Sequence, residues 1–197
     1  MGSKYSIMKS NSVAVVIAGG KSSRMQQDKA LLPFGNCASL AQYQCEKLGE
    51  IFENVYLSAK SNKFDFDISI IEDNYDDSSP LVALISIFES LELEEVFVLS
   101  VDAPFVDKAV ISQLYNEAQT SSDIIVVESV HGLEPLCAIY RRTFLKEALI
   151  ALNKNQHRLQ TLFKKLSVQK IKIEDEKIFM NLNFPHEYEE AKERLNS

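Results

Sequence analysis

At 197 residues the chain is long enough for one three-layer core and short for two domains. With 46% apolar and 25% charged residues it has an ordinary globular composition, and a net charge of −7 argues against a general nucleic-acid binder, which needs a basic surface to neutralise phosphates. Cys37, Cys45 and Cys137 form no C-x-x-C pair and cannot all pair together, so neither zinc nor a disulfide scaffold is expected, and reduced thiols in a cytoplasmic protein are the simplest reading. No apolar run approaches the roughly 20 residues of a membrane span. Residues 1–12 read as a polar tail, and residues 13–197 as the domain.

Residues 13–18, VAVVIA, are rich in β-branching and end at Gly19-Gly20, which predicts a buried strand running into a tight turn. Glycine there tolerates positive φ and lets the backbone approach a ligand closely. Lys21, Ser22, Ser23, Arg24, Asp28 and Lys29 follow. Successive backbone N–H groups in such a turn form an anion-binding concavity, and Arg24 and Lys29 can reach one polyphosphate. A nucleoside-triphosphate site is the expectation. It is not a Walker loop, because Val15 stands where the first glycine would be required, and no G-x-G-x-x-G exists in the chain.

Next comes a helix opened by Ser39, with Gln42 three residues on as a capping box, then strands over residues 55–58 and 68–71. Ser79 and Pro80 predict the cap and first turn of a second helix, followed by a strand over residues 96–100. A helix near residues 107–118 precedes strands over 124–127 and 136–140. Helices over 143–152 and 159–166, strands over 168–173 and 178–180, and a helix over 185–195 complete the chain. Alternating strands and amphipathic helices predict an α/β layer fold, in which ligands bind outside the carboxyl ends of the strands. Gly19-Gly20, Ser58, Asp73 and Asp102 all fall at such ends.

Asp102 either stabilises the turn before Pro104 or offers a hard carboxylate to Mg²⁺, which takes one or two protein oxygens and completes its shell with phosphate and water. Asp73 either caps the following loop or accepts from a nucleoside; guanine presents adjacent N–H donors that match two carboxylate oxygens. Lys29 and Arg24 are either solvated loop charges or partners for phosphate. Asn181 and Asn183 alternate along an extended segment and would face one side, as strand-end polar groups or as an acceptor wall. His131, His157 and His186 share no ligand spacing, and Ser22-Ser23 lacks the G-x-S-x-G context of an acyl-transfer nucleophile.

The run G-G-x-S-x-R-M-x-x-D-K-x-L from Gly19 to Leu31 resembles the signature of the small nucleotidyltransferases with a Rossmann-like fold. Ile17-Ala18-Gly19-Gly20, Arg24-Met25 and Asp28-Lys29 look most like the molybdenum cofactor guanylyltransferases. Ile71-Glu72-Asp73, Pro80-Leu81, Val101-Asp102-Ala103-Pro104, Glu134-Pro135-Leu136 and Asn181-Leu182-Asn183 follow in the family's order. Gln26 stands where that family has glycine, Ala83 in its Gly-containing segment, Ser58 in place of its asparagine and Phe184 in place of its threonine. The resemblance implies a single-domain three-layer α/β/α sandwich with a mostly parallel, mixed sheet. It implies transfer of GMP from GTP to the terminal phosphate of molybdopterin, with Mg²⁺ as cofactor. Lys29, Arg24 and Asp102 would be catalytic, with Asp102 on the metal. Ile17, Ala18, Gly19, Gly20, Lys29, Ser58, Asp73, Asp102, Asn181 and Asn183 would bind substrate. Proteins of molybdenum-cofactor biosynthesis or molybdoenzymes would be partners. The alternatives are a cytidylyltransferase or sugar-1-phosphate nucleotidyltransferase, or a noncatalytic nucleotide- or partner-binding module.

Overall fold

Five consecutive apolar residues can all be buried in a strand only if both faces of its sheet are covered. In the computed structural model of the chain, which describes residues 12–19, 28–180, 182 and 184–195, β1 (Val13–Ile17) is such a strand, buried at every position. It pairs in parallel with β2 (Asn54–Ala59) on one side and β4 (Glu95–Ser100) on the other. β3 (Ser69–Glu72) extends the parallel set beyond β2. β6 (Gly132–Arg141) lies antiparallel between β4 and β5 (Ile124–Ser129), and β7 (Val168–Lys172) closes the sheet parallel to β5. The seven strands run in the order β3-β2-β1-β4-β6-β5-β7, a mixed sheet as expected.

Helices cover both faces. On one, α1 (Leu40–Gly49), α3 (Lys108–Glu117) and α6 (Pro185–Leu195) bury Leu40, Leu48, Ile111, Leu114 and Ala191 against Ala14, Val16 and Phe97. On the other, α2 (Pro80–Ser90), α4 (Phe144–Asn153) and α5 (Leu159–Phe163) pack on Val15, Ile17 and Val98. The predicted caps hold. The Ser39 hydroxyl accepts from Gln42 N at 3.1 Å, while Gln42 Oε1 reaches back to Ala38 N, one residue before the cap. Ser79 Oγ accepts from Val82 N at 3.2 Å, with Pro80 in the first turn.

Two predicted elements differ. Residues 178–180 are not a strand: a 3₁₀ turn occupies Glu176–Phe179, because the Asp175 side chain accepts from Lys177 N at 3.0 Å and winds the chain before it can extend. The helix expected over 159–166 stops at Phe163.

The chain passes from β1 to β2 through α1 on one face, and from β3 to β4 through α2 on the other. The direction of winding therefore reverses at the β1–β4 junction, and a crevice opens at the carboxyl ends of those two strands.

Candidate active site

Lys29 and Asp102 meet at that crevice. Asp28 first fixes the lysine: its Oδ1 accepts from Ala30 N at 3.1 Å, capping the 3₁₀ turn Lys29–Leu31, and its Oδ2 takes Lys63 as an ion partner. Lys29 Nζ then lies 2.6 Å from Asp102 Oδ2 and donates to the Leu182 carbonyl at 3.2 Å. Both side chains are mostly covered, at 17% and 19% exposure, so the pair is screened less than a surface one.

Asp102 is held from behind. Ser100 Oγ donates to its Oδ1, Leu182 N donates to its backbone carbonyl at 3.2 Å, and Gln44 Nε2 bonds the Ser100 and Val101 carbonyls at 3.0 and 3.3 Å. Lys47 Nζ donates to the Pro104 carbonyl at 2.7 Å, and burial pulls its ammonium down to about 7. Ser100, Gln44, Lys47 and the Leu182 carbonyl were not singled out from sequence. Ser100 stands two residues before Asp102, the period of a strand. Gln44 sits between Leu40 and Leu48 on the buried stripe of α1, where a polar residue requires partners.

Across the crevice, Ile17 and Ala18 are buried at the end of β1, where Ala18 N bonds the Ser58 carbonyl at 2.9 Å. Gly19 does not use positive φ, and a Cβ there would meet nothing among the described residues within 4 Å. Further along the same edge lie Ser58, 1% exposed, and half-buried Asp73. Ser58 Oγ and Asp73 Oδ1 are both buried without a hydrogen-bond partner among the described residues. Burial pushes the Asp73 carboxyl above its ordinary value, against the opposing field of Lys60. Gly20, Lys21, Ser22, Ser23, Arg24, Asn181 and Asn183 lie outside the described residues.

On the far side of Asp102, β6 carries a bulge: Val126 pairs with Ala138 but Val127 with Glu134, so residues 135–137 have no opposite number on β5. Bulges re-aim side chains next to active sites. This one puts Glu134, Pro135, Leu136 and Cys137 into a cleft of about 220 Å³ with Ser100, Asp102 and Phe179. Ser129 Oγ donates to Glu134 Oε1 at 2.7 Å. No group of three or more His, Cys, Asp or Glu able to cage a metal exists among the described residues.

Residues 14–171 match the model of a family described as the MobA-like NTP transferase domain. The chain belongs to that family. It is thus a nucleotidyltransferase of Rossmann-like fold. A molybdenum cofactor guanylyltransferase of Campylobacter jejuni is 39% identical over 183 residues, covering 92% of this chain and 95% of the relative. One from Helicobacter pylori is 30% identical over 189 residues, covering 92% of each chain. Among solved structures, the molybdopterin-guanine dinucleotide biosynthesis protein A of Archaeoglobus fulgidus superposes with a TM-score of 0.80 at 20% identity, over 93% of this chain and 98% of that one. The 2-C-methyl-D-erythritol 4-phosphate cytidylyltransferase of Thermus thermophilus superposes at 0.70 with 15% identity, over 94% and 100%. The MobA-like fold is therefore shared with an enzyme named for a different base. No helix of the described residues is long and apolar enough to cross a membrane.

Proposed function

We propose that this nucleotidyltransferase moves GMP from GTP to the terminal phosphate of molybdopterin, releasing pyrophosphate. The observation that carries the chemistry is the Lys29–Asp102 pair at the β1–β4 junction, on the strand-end edge that also carries Gly19. The base and the acceptor are assigned from the likeness to relatives named molybdenum cofactor guanylyltransferase.

An oxygen of the acceptor phosphate attacks the α-phosphorus of GTP in line; the bond from the α-phosphorus to the α–β bridging oxygen breaks, and pyrophosphate leaves with the electron pair. The attacking oxygen is already anionic, so no general base is required. Lys29 stabilises charge building on the departing oxygens, with Arg24 assigned the same task from the family signature alone. The backbone of Gly19 would border the phosphates, with Gly20 assigned beside it from the family signature alone, and Asp73 would accept from the guanine N–H donors beside Ser58. Asp102 would hold Mg²⁺, which when bound neutralises phosphate charge and orients the chain for displacement. In the free protein Lys29 balances the Asp102 carboxylate, so ligand binding exchanges one cation partner for another rather than exposing a bare charge. Asn181 and Asn183, flanking Leu182, are assigned to the acceptor side. A cytoplasmic location suits three thiols that form no disulfide.

The test is to incubate the purified protein with Mg²⁺, GTP and molybdopterin and resolve the products. The guanine dinucleotide and pyrophosphate in equal amounts are expected; GTP left intact with a competent acceptor would reject the reading.

A further inference from the structure

The buried stripe of α1 consists of Leu40, Ala41, Gln44, Cys45 and Leu48. The other four belong to the cluster that packs α1 onto Ala14, Val16 and Phe97, so the helix is seated without help from Gln44. Gln44 is nevertheless fully buried, at 0% exposure. Its Nε2 donates to the Ser100 carbonyl at 3.0 Å and to the Val101 carbonyl at 3.3 Å, while its Oε1 is buried without a partner among the described residues. The partners fix which way the amide points, since carbonyl oxygens only accept. A buried amide left half-satisfied costs stability that an apolar side chain of the same length would not. Packing alone therefore gives no reason for glutamine at this position; the two carbonyls do.

On the reading that Asp102 serves the transfer, we propose that Gln44 is a positioning residue for it: by clamping the two carbonyls that precede Asp102, it aims the carboxylate at the phosphate side of the crevice. Those carbonyls belong to the planar peptide groups on either side of Val101, so holding both sets the dihedral angles of Val101 and with them the direction in which Asp102 leaves β4.

The neighbouring bonds complete the clamp. Val101 N donates to the Ile17 carbonyl at 3.0 Å, which keeps the chain paired to β1 one residue past β4. Ala103 N donates to the Ser100 carbonyl at 3.3 Å and turns the chain away at once. Beyond the turn, Leu182 N donates to the Asp102 carbonyl, so the main chain is held on both sides of the carboxylate. Gln44 bonds main chain and not the carboxylate, and so acts through Asp102 rather than on the substrate. A displacement of about 1 Å at a reacting group can cost about 100-fold in rate, which is why slack in two backbone bonds should reach turnover before it reaches the fold.

Gln44→Met removes the donor at nearly constant length, and Asp102→Asn is measured beside it. The melting temperature of Gln44→Met should stay within a few degrees of wild type, because the orphaned oxygen leaves together with the two bonds. Single-turnover transfer from GTP to molybdopterin should fall about tenfold, with GTP affinity by calorimetry within about twofold of wild type. Mn²⁺, titrated with and without the α,β-methylene analogue of GTP and followed by electron paramagnetic resonance, should bind several-fold more weakly. A folded Gln44→Met with wild-type rate and wild-type Mn²⁺ affinity would overturn the positioning role, and a loss of turnover in Asp102→Asn in the same series would leave the transfer chemistry standing. Full turnover in both variants would overturn Gln44 and Asp102 together. Wild-type protein that makes no dinucleotide would overturn guanylyl transfer, with the Mn²⁺ titration still deciding Gln44. Should Gln44→Met fail to fold, the wild type decides: its Gln44 side-chain amide protons, followed by NMR, should exchange slowly and should shift when Mg²⁺ and the analogue bind, and signals unmoved by both would overturn the proposal.

Discussion

Asp73 and Asp102 follow two parallel strands, β3 and β4, at the same edge of one sheet, yet their surroundings are opposite. Both Asp102 oxygens are satisfied, one by Lys29 and one by Ser100. Asp73 has a buried oxygen with no partner among the described residues and a carboxyl that burial holds above its usual value. A carboxylate paired in advance already has a cation and a hydroxyl donor beside it. One left short of donors is destabilised until a ligand brings N–H groups to it. In the proposed reaction the Asp102 end would take phosphates and metal, and the Asp73 end, short of a donor among the described residues, would take the nucleoside.

The contrast can be broken from either end. Asp102→Asn keeps size and removes the charge, so turnover should fall by at least about 100-fold, the scale of one lost transition-state contact; near-normal steady-state rates at saturating Mg²⁺ would return Asp102 to a turn-stabilising role. Lys29→Ala should lower single-turnover transfer by some tens of fold and GTP affinity by much less, because its gain comes as pyrophosphate charge develops. Equal losses in rate and affinity would assign it to ground-state binding. Asp73→Asn should weaken GTP binding by about tenfold while leaving the maximal rate near wild type.

Asp73 also gives a pH signature. Its folded carboxyl holds a proton that the unfolded one has released, so stability of the ligand-free protein should decline as pH rises through the raised value, and Asp73→Asn should abolish that decline. Chemical denaturation at stepped pH values measures it; identical slopes in the two proteins would contradict it. At the Asp102 end, Ser100→Ala should cost a few-fold in turnover, since one neutral hydrogen bond orients the carboxylate. Lys47 acts on stability and not on turnover. Its ammonium is pulled down to about 7 in the fold, so the unfolded chain binds more protons above that pH. Stability should therefore rise between about pH 7 and pH 10, a rise that Lys47→Met should flatten in melting curves.

What the sequence made legible was what local pattern controls. The apolar run 13–18 announced a buried strand, Ser39 and Ser79 announced their helices, and the strand-end rule brought Gly19, Ser58, Asp73 and Asp102 to one edge. Arrangement between distant segments was not legible. Nothing near Lys29 says that its partner is Asp102 rather than a phosphate, and nothing in α1 says that Gln44 bonds carbonyls more than 50 residues away. The 3₁₀ turn at Glu176–Phe179 was missed because an apolar triplet reads as strand unless the Asp175 cap is weighed against it. The β6 bulge leaves no mark in strand periodicity beyond Pro135.

Guanylyl transfer depends most directly on recognition of the base at the Asp73 end. Calorimetric titration of the wild-type protein with GTP and with CTP, each with excess Mg²⁺, should give clearly tighter binding of GTP, and Asp73→Asn should erase most of the difference. Equal affinity for the two nucleotides in the wild-type protein would contradict guanylyl transfer while leaving the nucleotidyltransferase fold intact.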